Sequence, residues 1–236
     1  MRFFRPLLRS LFITPHVPDE PARTIPPGEF SGAVRRALRA PLVVGASVSA
    51  EYATKSPARR AMGILGIEDR ALTKFAKFGA RAKALLPLVN YELVQRHTAV
   101  IATDVVFWDT LSWNAASTVA ALQDFGARID ELAIPVVLGT APLLKNHWFQ
   151  PGLKQVNAAV REACETFENF HLLDLERIYE TIRSQNGFSI GGRYYSVADV
   201  APDALHLSNA ACEFVAYEII GVLEQALPAL RHSYYL

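Results

Sequence analysis

The stretch PLVVGASVS, residues 41–49, joins a short apolar run to a turn of small residues. The apolar run predicts a strand over residues 41–45 that helices cover on both faces, and Gly45 permits a tight exit from it. Ser47 would then lie at the carboxyl edge of a parallel sheet, where open α/β sheets bind ligands. Two roles fit a serine at this point, a nucleophile and a helix cap, and this stretch alone does not decide between them.

The same pattern recurs along the chain, since apolar β-branched runs alternate with segments of helical period. This alternation is typical of strand–helix–strand units and predicts an α/β fold with a parallel sheet. The predicted strands cover residues 41–45, 98–103, 135–140 and 171–175, and the predicted helices cover residues 71–86, 117–132 and 153–167. A last helix would open after Ser208, its N-cap, and end near Leu227, before Pro228. Residues 184–202 are predicted to form a long loop, and long loops in such sheets usually serve a site.

Composition limits the class of protein. A chain of 236 residues with 51% hydrophobic content can build the core of one domain without disulfides. Its 24 basic and 23 acidic side chains leave a formal net charge of +1, which argues against nucleic acid as the main partner. Cys164 and Cys212 both fall in predicted helices, which favours buried apolar side chains over a disulfide or a metal site.

Residues 1–40 are interpreted as an N-terminal arm and residues 41–236 as the domain. The arm contains seven arginines, and both Pro6 and Arg9 interrupt its first apolar run, so we expect no cleaved signal peptide. No run reaches the roughly 18 apolar residues of a spanning helix, and a cytoplasmic location is therefore expected. An arm that lies across its own domain is favoured over one that binds a membrane surface or a partner.

A second signal is DALHLS, residues 203–208, directly before the last helix. A carboxylate three residues ahead of a histidine on a turn can bond one ring nitrogen and leave the other as a general base. Asp203 is therefore expected to orient His206. Asp199 is a second candidate for that carboxylate, but its spacing suits the turn less well. With Ser47 at the other end of the domain, this order predicts a nucleophile, an orienting acid and a base in one site.

At these two blocks the sequence resembles the SGNH (GDSL-like) hydrolases. Residues 45–49 match the family block Gly-Asp-Ser-x-Ser, with Ala46 in place of the aspartate. Residues 203–206 match the block Asp-x-x-His, which a helix of small residues follows in the family as it does here. Looser matches, to the family's fourth strand and the helix after it, lie at residues 134–142 and 156–162. The resemblance spans residues 41–227.

The resemblance implies a three-layer α/β/α sandwich with a parallel, flavodoxin-like central sheet. It also implies a serine carboxylic ester hydrolase of the esterase or lipase type, in which Ser47 is the nucleophile, His206 the base and Asp203 the orienting acid. Such an enzyme acts on a small-molecule acyl ester through an acyl-enzyme and needs no metal or organic cofactor. A carbohydrate O-deacetylase or an acyltransferase would use the same triad, and a non-catalytic binding module could keep the same fold.

The family's oxyanion hole maps less completely onto this sequence. The amide of Ser47 and a glycine that we place at Gly79 would be two of its donors, although Gly79 also suits an ordinary turn. Asp104 stands where the family's third block has an oxyanion asparagine. A carboxyl group in that place either is protonated and donates, or points away and holds a loop. In the first case Asp104→Asn keeps or raises turnover; Asn114 is another candidate for the missing amide.

Other histidines and aromatic residues are given smaller roles. Three histidines lack metal-ligand spacing and are expected at the surface or at strand ends, namely His97, His147 and His171. Four aromatic residues follow predicted strands, namely Trp108, Trp113, Trp148 and Phe149. They would either wall an acyl pocket or pack in the core.

Overall fold

Five short strands, each of four or five residues, form the central sheet of the protein. The computed structural model describes residues 32–144 and 148–230. In chain order the helices and strands are α1 (Gly32–Ala37), β1 (Pro41–Gly45), α2 (Pro57–Ile64), β2 (Thr73–Ala76), α3 (Ala82–Leu85), α4 (Tyr91–Val94), β3 (Ala99–Ala102), α5 (Ala116–Ile129), β4 (Val136–Gly139), α6 (Leu153–Thr166), β5 (Phe170–Leu173), α7 (Leu175–Ser184), β6 (Gly187–Ile190), β7 (Arg193–Ser196) and α8 (Asn209–Leu230).

β1 is buried along its whole length and pairs in parallel with β2 on one side and β3 on the other. Leu42 of β1 lies opposite Thr73 of β2 and Val100 of β3. The complete order is β2-β1-β3-β4-β5, and all the pairings are parallel. This is the strand order of flavodoxin-like sheets, so the predicted sheet is confirmed.

Successive side chains of the central strands point to opposite faces of the sheet, and each face is covered by helices. On one face Val44 packs in a buried cluster that also contains Phe125 of α5 and Val156 of α6. On the other face Val43 packs in a cluster with helices α1, α2 and α8, to which Ile219 of α8 belongs. The three predicted layers are therefore confirmed. The continuous apolar runs of the inner strands follow from this double burial.

Residues 71–86 are the main correction to the predicted elements. The sequence predicts one helix there, but the structure has strand β2, a turn at Gly79 and the short helix α3. Alanine and lysine favour a helix in this segment, yet it pairs with the edge of β1, with Ala76 opposite Gly45. Because β2 is an edge strand it is only partly buried, and it lacks the apolar run that marks the inner strands.

Two further predictions about the second half of the chain were incomplete. The predicted loop over residues 184–202 contains the antiparallel hairpin of β6 and β7, in which Phe188 stacks on Tyr195. Ser208 does cap α8, since the amide of Ala211 donates to its hydroxyl oxygen at 3.1 Å. The helix does not end before Pro228, however, but continues to Leu230.

Residues 32–40, the end of the predicted arm, pack on the domain. Val34 and Leu38 are fully buried in the cluster beneath α8, and the amide of Ala40 donates to Thr98 Oγ1 at 2.9 Å. The rest of the arm, residues 1–31, lies outside the described residues, so its placement stays a prediction. In the part of the chain that the structure describes, every helix is too short or too polar to cross a lipid bilayer.

Gly139 tests how tightly the strands pack at their carboxyl ends, and Gly63 in α2 serves as its control. A Cβ atom added at Gly139 of β4 would overlap the backbone carbonyl of Thr103, whereas one added at Gly63 in α2 would meet nothing within 4 Å. We expect Gly139→Ala to lower the free energy of unfolding by about 1–3 kcal/mol. Gly63→Ala should raise it by about 0.5–1 kcal/mol, because alanine favours the helix. Urea unfolding measures both; equal stabilities of the two variants would contradict this packing.

Candidate active site

Ser47 lies on a single tight turn between β1 and the loop that leads to α2. The amide of Ala50 donates to the carbonyl of Ala46 at 2.8 Å, and the amide of Tyr52 donates to the carbonyl of Ser47 at 3.0 Å. Glu51 ends the turn with a positive φ of 61°. Ser47 is thereby held at the carboxyl edge of the sheet, where the sequence predicts it.

Asp104 holds this turn from the neighbouring strand. It follows β3, and its Oδ1 accepts a hydrogen bond from the amide of Ala46 at 3.1 Å. Its Oδ2 accepts from the amides of Val48 at 2.8 Å and Ser49 at 3.3 Å, and the Ser49 hydroxyl donates to Oδ1. Burial raises the pKa of the Asp104 carboxyl, and these hydrogen bonds counteract that rise.

The geometry of Asp104 corrects its placement in the oxyanion hole. Both carboxyl oxygens accept hydrogen bonds from the Ser47 turn, so the group acts as an acceptor and holds the loop, the second of the two roles considered for it. Gly45 is required for this arrangement, because a Cβ atom there would overlap Asp104 Oδ1 and Ser49 Oγ. Ser49 is committed to Asp104, which leaves Ser47 as the serine of this turn that is not bonded to the carboxylate.

Glu51 anchors the far end of the same turn. Its carboxylate accepts hydrogen bonds from Ser56 and Arg59 and from Lys74 of β2, the last at 2.8 Å. Burial alone would raise the pKa of Glu51, but the bonds from Arg59 and Lys74 outweigh it and lower the pKa to about 2. The turn is thus fixed at both ends by a carboxylate.

Asp203 and His206 form a buried hydrogen-bonded pair on the loop before α8. Asp203 Oδ1 accepts from the amides of Leu205 at 3.0 Å and His206 at 2.7 Å, while Oδ2 lies 2.7 Å from His206 Nδ1. Burial would raise the pKa of Asp203, but the bonds from the His206 amide and ring outweigh it and lower the pKa. An ionised Asp203 selects the tautomer with its proton on Nδ1, which leaves Nε2 as an acceptor.

The remaining ring nitrogen of His206 is unpaired. Nε2 is buried and has no hydrogen-bond partner among the described residues. A buried nitrogen without a partner is costly, and a catalytic role is one explanation for keeping such a group. Asp199, the other candidate acid, instead accepts from the amide and hydroxyl of Ser196 at 2.7 and 2.8 Å, so Asp203 is the carboxylate bonded to this histidine.

Arg60 of α2 ties the loop after Ser47 to the segment after His206. Its guanidinium donates to Thr54 Oγ1 at 3.0 Å and to Asn209 Oδ1 at 2.6 Å, and it lies 4.0 Å from Glu213. Thr54 and Asn209 also contact each other. Residues about 150 positions apart in the chain are therefore held together by one buried side chain, a link that no local sequence pattern indicates.

Gly79 lies on the turn after β2, at the same edge of the sheet as Ser47. The amide of Lys77 donates to the carbonyl of Gly45 at 3.1 Å, which keeps this turn beside the end of β1. Gly79 has a φ of +69°, and a Cβ atom would meet nothing within 4 Å, so glycine is favoured there by conformation and not by space. Asn114 is exposed, and its Oδ1 accepts from the amide of Ala116 at 2.8 Å, at the start of α5.

The other described histidines and the two cysteines lie apart from the Asp203–His206 pair. His97 Nδ1 is 3.3 Å from the carbonyl of Ala40, and His171 is on β5; burial lowers the pKa of both. His147 is outside the described residues. Burial raises the pKa of Cys164 and of Cys212 to about 12, so both are protonated thiols.

The four aromatic residues fall into two groups, because Trp108 and Phe149 are partly buried and the other two are not. Trp113 and Trp148 are strongly exposed. Trp108 packs against Phe107 and against Phe78, a residue that the sequence analysis did not single out. Through Phe78, which directly precedes Gly79, Trp108 packs beside the turn after β2.

Comparisons with known proteins identify the fold. Neither a family model nor a curated protein matches the sequence. Among solved structures, the psychrotrophic esterase EstA from Pseudoalteromonas sp. matches with a TM-score of 0.56 and 14% identity over 80% of this chain and 99% of that one. A protein assigned to the G-D-S-L family of lipolytic proteins, from Desulfitobacterium hafniense DCB-2, matches with a TM-score of 0.56 and 13% identity over 78% and 99%. The lipase Lip_vut3 from a goat rumen metagenome matches with a TM-score of 0.52 and 13% identity over 77% of this chain and 96% of that one. The chain therefore has the fold of the SGNH (GDSL-like) hydrolases.

Asp104→Asn tests the role of the carboxylate in holding the Ser47 turn. The new amide nitrogen would face backbone donors, so the geometry predicts a loss of stability and activity, whereas the donor role predicted that turnover is kept or raised. We expect the free energy of unfolding to fall by about 1–3 kcal/mol and activity per folded molecule to fall at least about tenfold, since Ser47 is displaced. Ester hydrolysis and urea unfolding measure the two effects.

Asp109→Asn is the matched control for that variant. Asp109 is a buried carboxylate that accepts from the amide of Ala82 and the hydroxyl of Thr118, both at 2.8 Å, and it does not contact the Ser47 turn. This variant should lose stability but keep its activity per folded molecule. Full activity in folded Asp104→Asn would contradict the role that we give to Asp104.

Arg60→Met tests the link between the two loops. Without the guanidinium, Asn209 Oδ1 loses a donor, and we expect activity per folded molecule to fall about tenfold. In Arg60→Ala, which leaves the space of the side chain open, guanidinium ion at millimolar concentration should restore part of the activity. Arg128→Met is the control, because Arg128 donates to the carbonyls of Leu86 and Pro87, away from both loops. A loss of activity that only follows the loss of folded protein, without rescue, would argue against the link.

Proposed function

We propose that this chain is a serine carboxylic ester hydrolase with Ser47 as nucleophile, His206 as general base and Asp203 as orienting acid. The observation that supports this most is the buried Asp203–His206 pair, whose ring nitrogen Nε2 has no partner among the described residues. The fold supports it too, since an esterase and a lipase share it, although a fold alone does not fix an activity.

Acylation begins when Ser47 Oγ attacks the ester carbonyl carbon and its proton passes to His206 Nε2. The carbonyl oxygen becomes an oxyanion, and Asp203 stabilises the imidazolium that has formed. The intermediate then breaks the bond to the alcohol oxygen, which takes the proton from His206, and an acyl-enzyme on Ser47 remains. Water repeats the sequence, releases the carboxylic acid and regenerates Ser47.

The oxyanion would be stabilised by backbone amides. Asp104 engages the amides of Ala46, Val48 and Ser49 but not that of Ser47, which lies between them. The Ser47 amide, with that of Gly79 on the adjacent turn, would then donate to the oxyanion. With the carboxylate of Asp104 committed to the loop, the hole lacks the side-chain amide that the family block supplies.

Other activities on the same residues are separated by substrate. A carbohydrate O-deacetylase would release acetate from acetylated sugars and leave simple acyl esters intact. An acyltransferase would need an acceptor for turnover, and a non-catalytic module would not react at Ser47. A panel of esters, with and without acceptor alcohols, distinguishes these cases.

Labelling with a fluorophosphonate probe tests the proposal, because only an activated serine reacts at an appreciable rate. The wild-type protein should gain one adduct that peptide mass spectrometry places on Ser47. Ser47→Ala should abolish both labelling and hydrolysis of an activated ester, since loss of a nucleophile costs several orders of magnitude.

Ser49→Ala is the matched control on the same turn. It removes one donor to Asp104 and should cost about 1 kcal/mol of stability while labelling at Ser47 persists. An adduct on Ser49, or none in folded wild-type protein, would rule out Ser47 as the nucleophile.

A further inference from the structure

A row of aromatic rings extends from the proposed base to the surface. The Tyr52 ring centroid lies 5.5 Å from that of His206, and the Phe78 centroid lies 6.4 Å from it. Tyr52 and Phe78 are 5.0 Å apart, and Trp108 continues the row at 6.1 Å from Phe78. We call Tyr52, Phe78 and Trp108 the aromatic shelf.

Two of the three shelf rings, those of Tyr52 and Phe78, are exposed although they border a buried histidine, and Trp108 is partly buried. Tyr52 is 46% exposed and Phe78 is 38% exposed, while His206 is buried. Large aromatic faces left open to water beside convergent polar groups are typical of ligand sites. A ligand group that covers the exposed part of these two rings would gain the free energy of burying apolar surface.

The shelf is built by the segments that also carry the proposed chemistry. Tyr52 directly follows the turn of Ser47, Phe78 directly precedes Gly79, and Trp108 lies on the segment that follows Asp104. These segments leave β1, β2 and β3, three adjacent strands, at the same edge of the sheet. The shelf therefore flanks the reacting atoms and not a remote surface.

We propose, on the basis of the proposed function, that the aromatic shelf binds the alcohol part of the ester and that the substrates are esters of alcohols that carry an apolar ring. His206 Nε2 returns its proton to the alcohol oxygen, so that oxygen must come within about 3 Å of the ring nitrogen. Tyr52 and Phe78 contact the same imidazole. A group attached to the alcohol oxygen therefore lies within reach of their faces, and flat apolar groups stack best on such faces.

Two acetates that differ only in the alcohol measure this preference. Benzyl and methyl acetate have alcohols of similar acidity, so a difference in kcat/KM reports binding of the ring and not leaving-group chemistry. We expect wild-type protein to favour benzyl acetate at least about tenfold. Phe78→Ala and Tyr52→Ala should each reduce this ratio by about three- to tenfold, the worth of one aromatic contact.

Tyr91→Ala is the matched control. Tyr91 is 40% exposed, close to the exposure of Tyr52, but it lies on α4 before β3, at the opposite edge of the sheet. Its removal should leave the benzyl-to-methyl ratio unchanged. Melting temperatures check that all three variants fold, which is expected because the replaced side chains are exposed.

Three results would overturn the proposal. A wild-type ratio of benzyl to methyl acetate near one, or a ratio that Phe78→Ala and Tyr52→Ala leave unchanged, would show that the shelf does not bind the alcohol. A change confined to the preference between acetate and hexanoate would assign it to the acyl chain. Fluorophosphonate labelling separates the role of the shelf from the proposed function. If Ser47 is labelled, such results rule out only the role of the shelf. If Ser47 is not labelled, both the proposed function and the role of the shelf are ruled out.

Discussion

The hydrogen bonds between the Asp104 carboxylate and the turn after β1 are the constraint on which the site depends. A tight turn directs several amides to one side, and burying them without an acceptor would be costly. Asp104 accepts from the amides of Ala46, Val48 and Ser49 and joins the ends of β1 and β3. Gly45 must lack a side chain for the carboxylate to fit. The position of Ser47 follows from these contacts.

The site combines a rigid sheet with loops that are fixed individually. The parallel strands bring the Ser47 turn and Gly79 to one edge, because β1 and β2 pair in register there. The His206 loop comes from the far end of the chain and is ordered by its own carboxylate, Asp203. Arg60 then connects the two regions through Thr54 and Asn209. Local hydrogen bonds thus shape each loop, and a few long-range ones set their relative positions.

The sequence predicted those features that rest on local patterns. The inner strands are continuous apolar runs because both faces are covered, and Asp203 and His206 pair because a spacing of three residues suits one turn. Strand β2 was missed because an edge strand is half exposed and because its alanine and lysine favour a helix. Tyr52, Phe78 and Arg60 were not singled out because their contacts with the His206 region join distant parts of the chain. The role of Asp104 could be narrowed to two alternatives but not decided, since both depend on where the side chain points.

The structure of the protein after reaction with a fluorophosphonate tests the central claim most directly, that Ser47 and His206 act as nucleophile and base in a hole made of backbone amides. The account predicts phosphorus bonded to Ser47 Oγ, with the phosphoryl oxygen within about 3 Å of the amides of Ser47 and Gly79. Asp104 should remain bonded to the turn. Phosphorus on another residue, or a phosphoryl oxygen held by the Asp104 side chain and not by these amides, would contradict it.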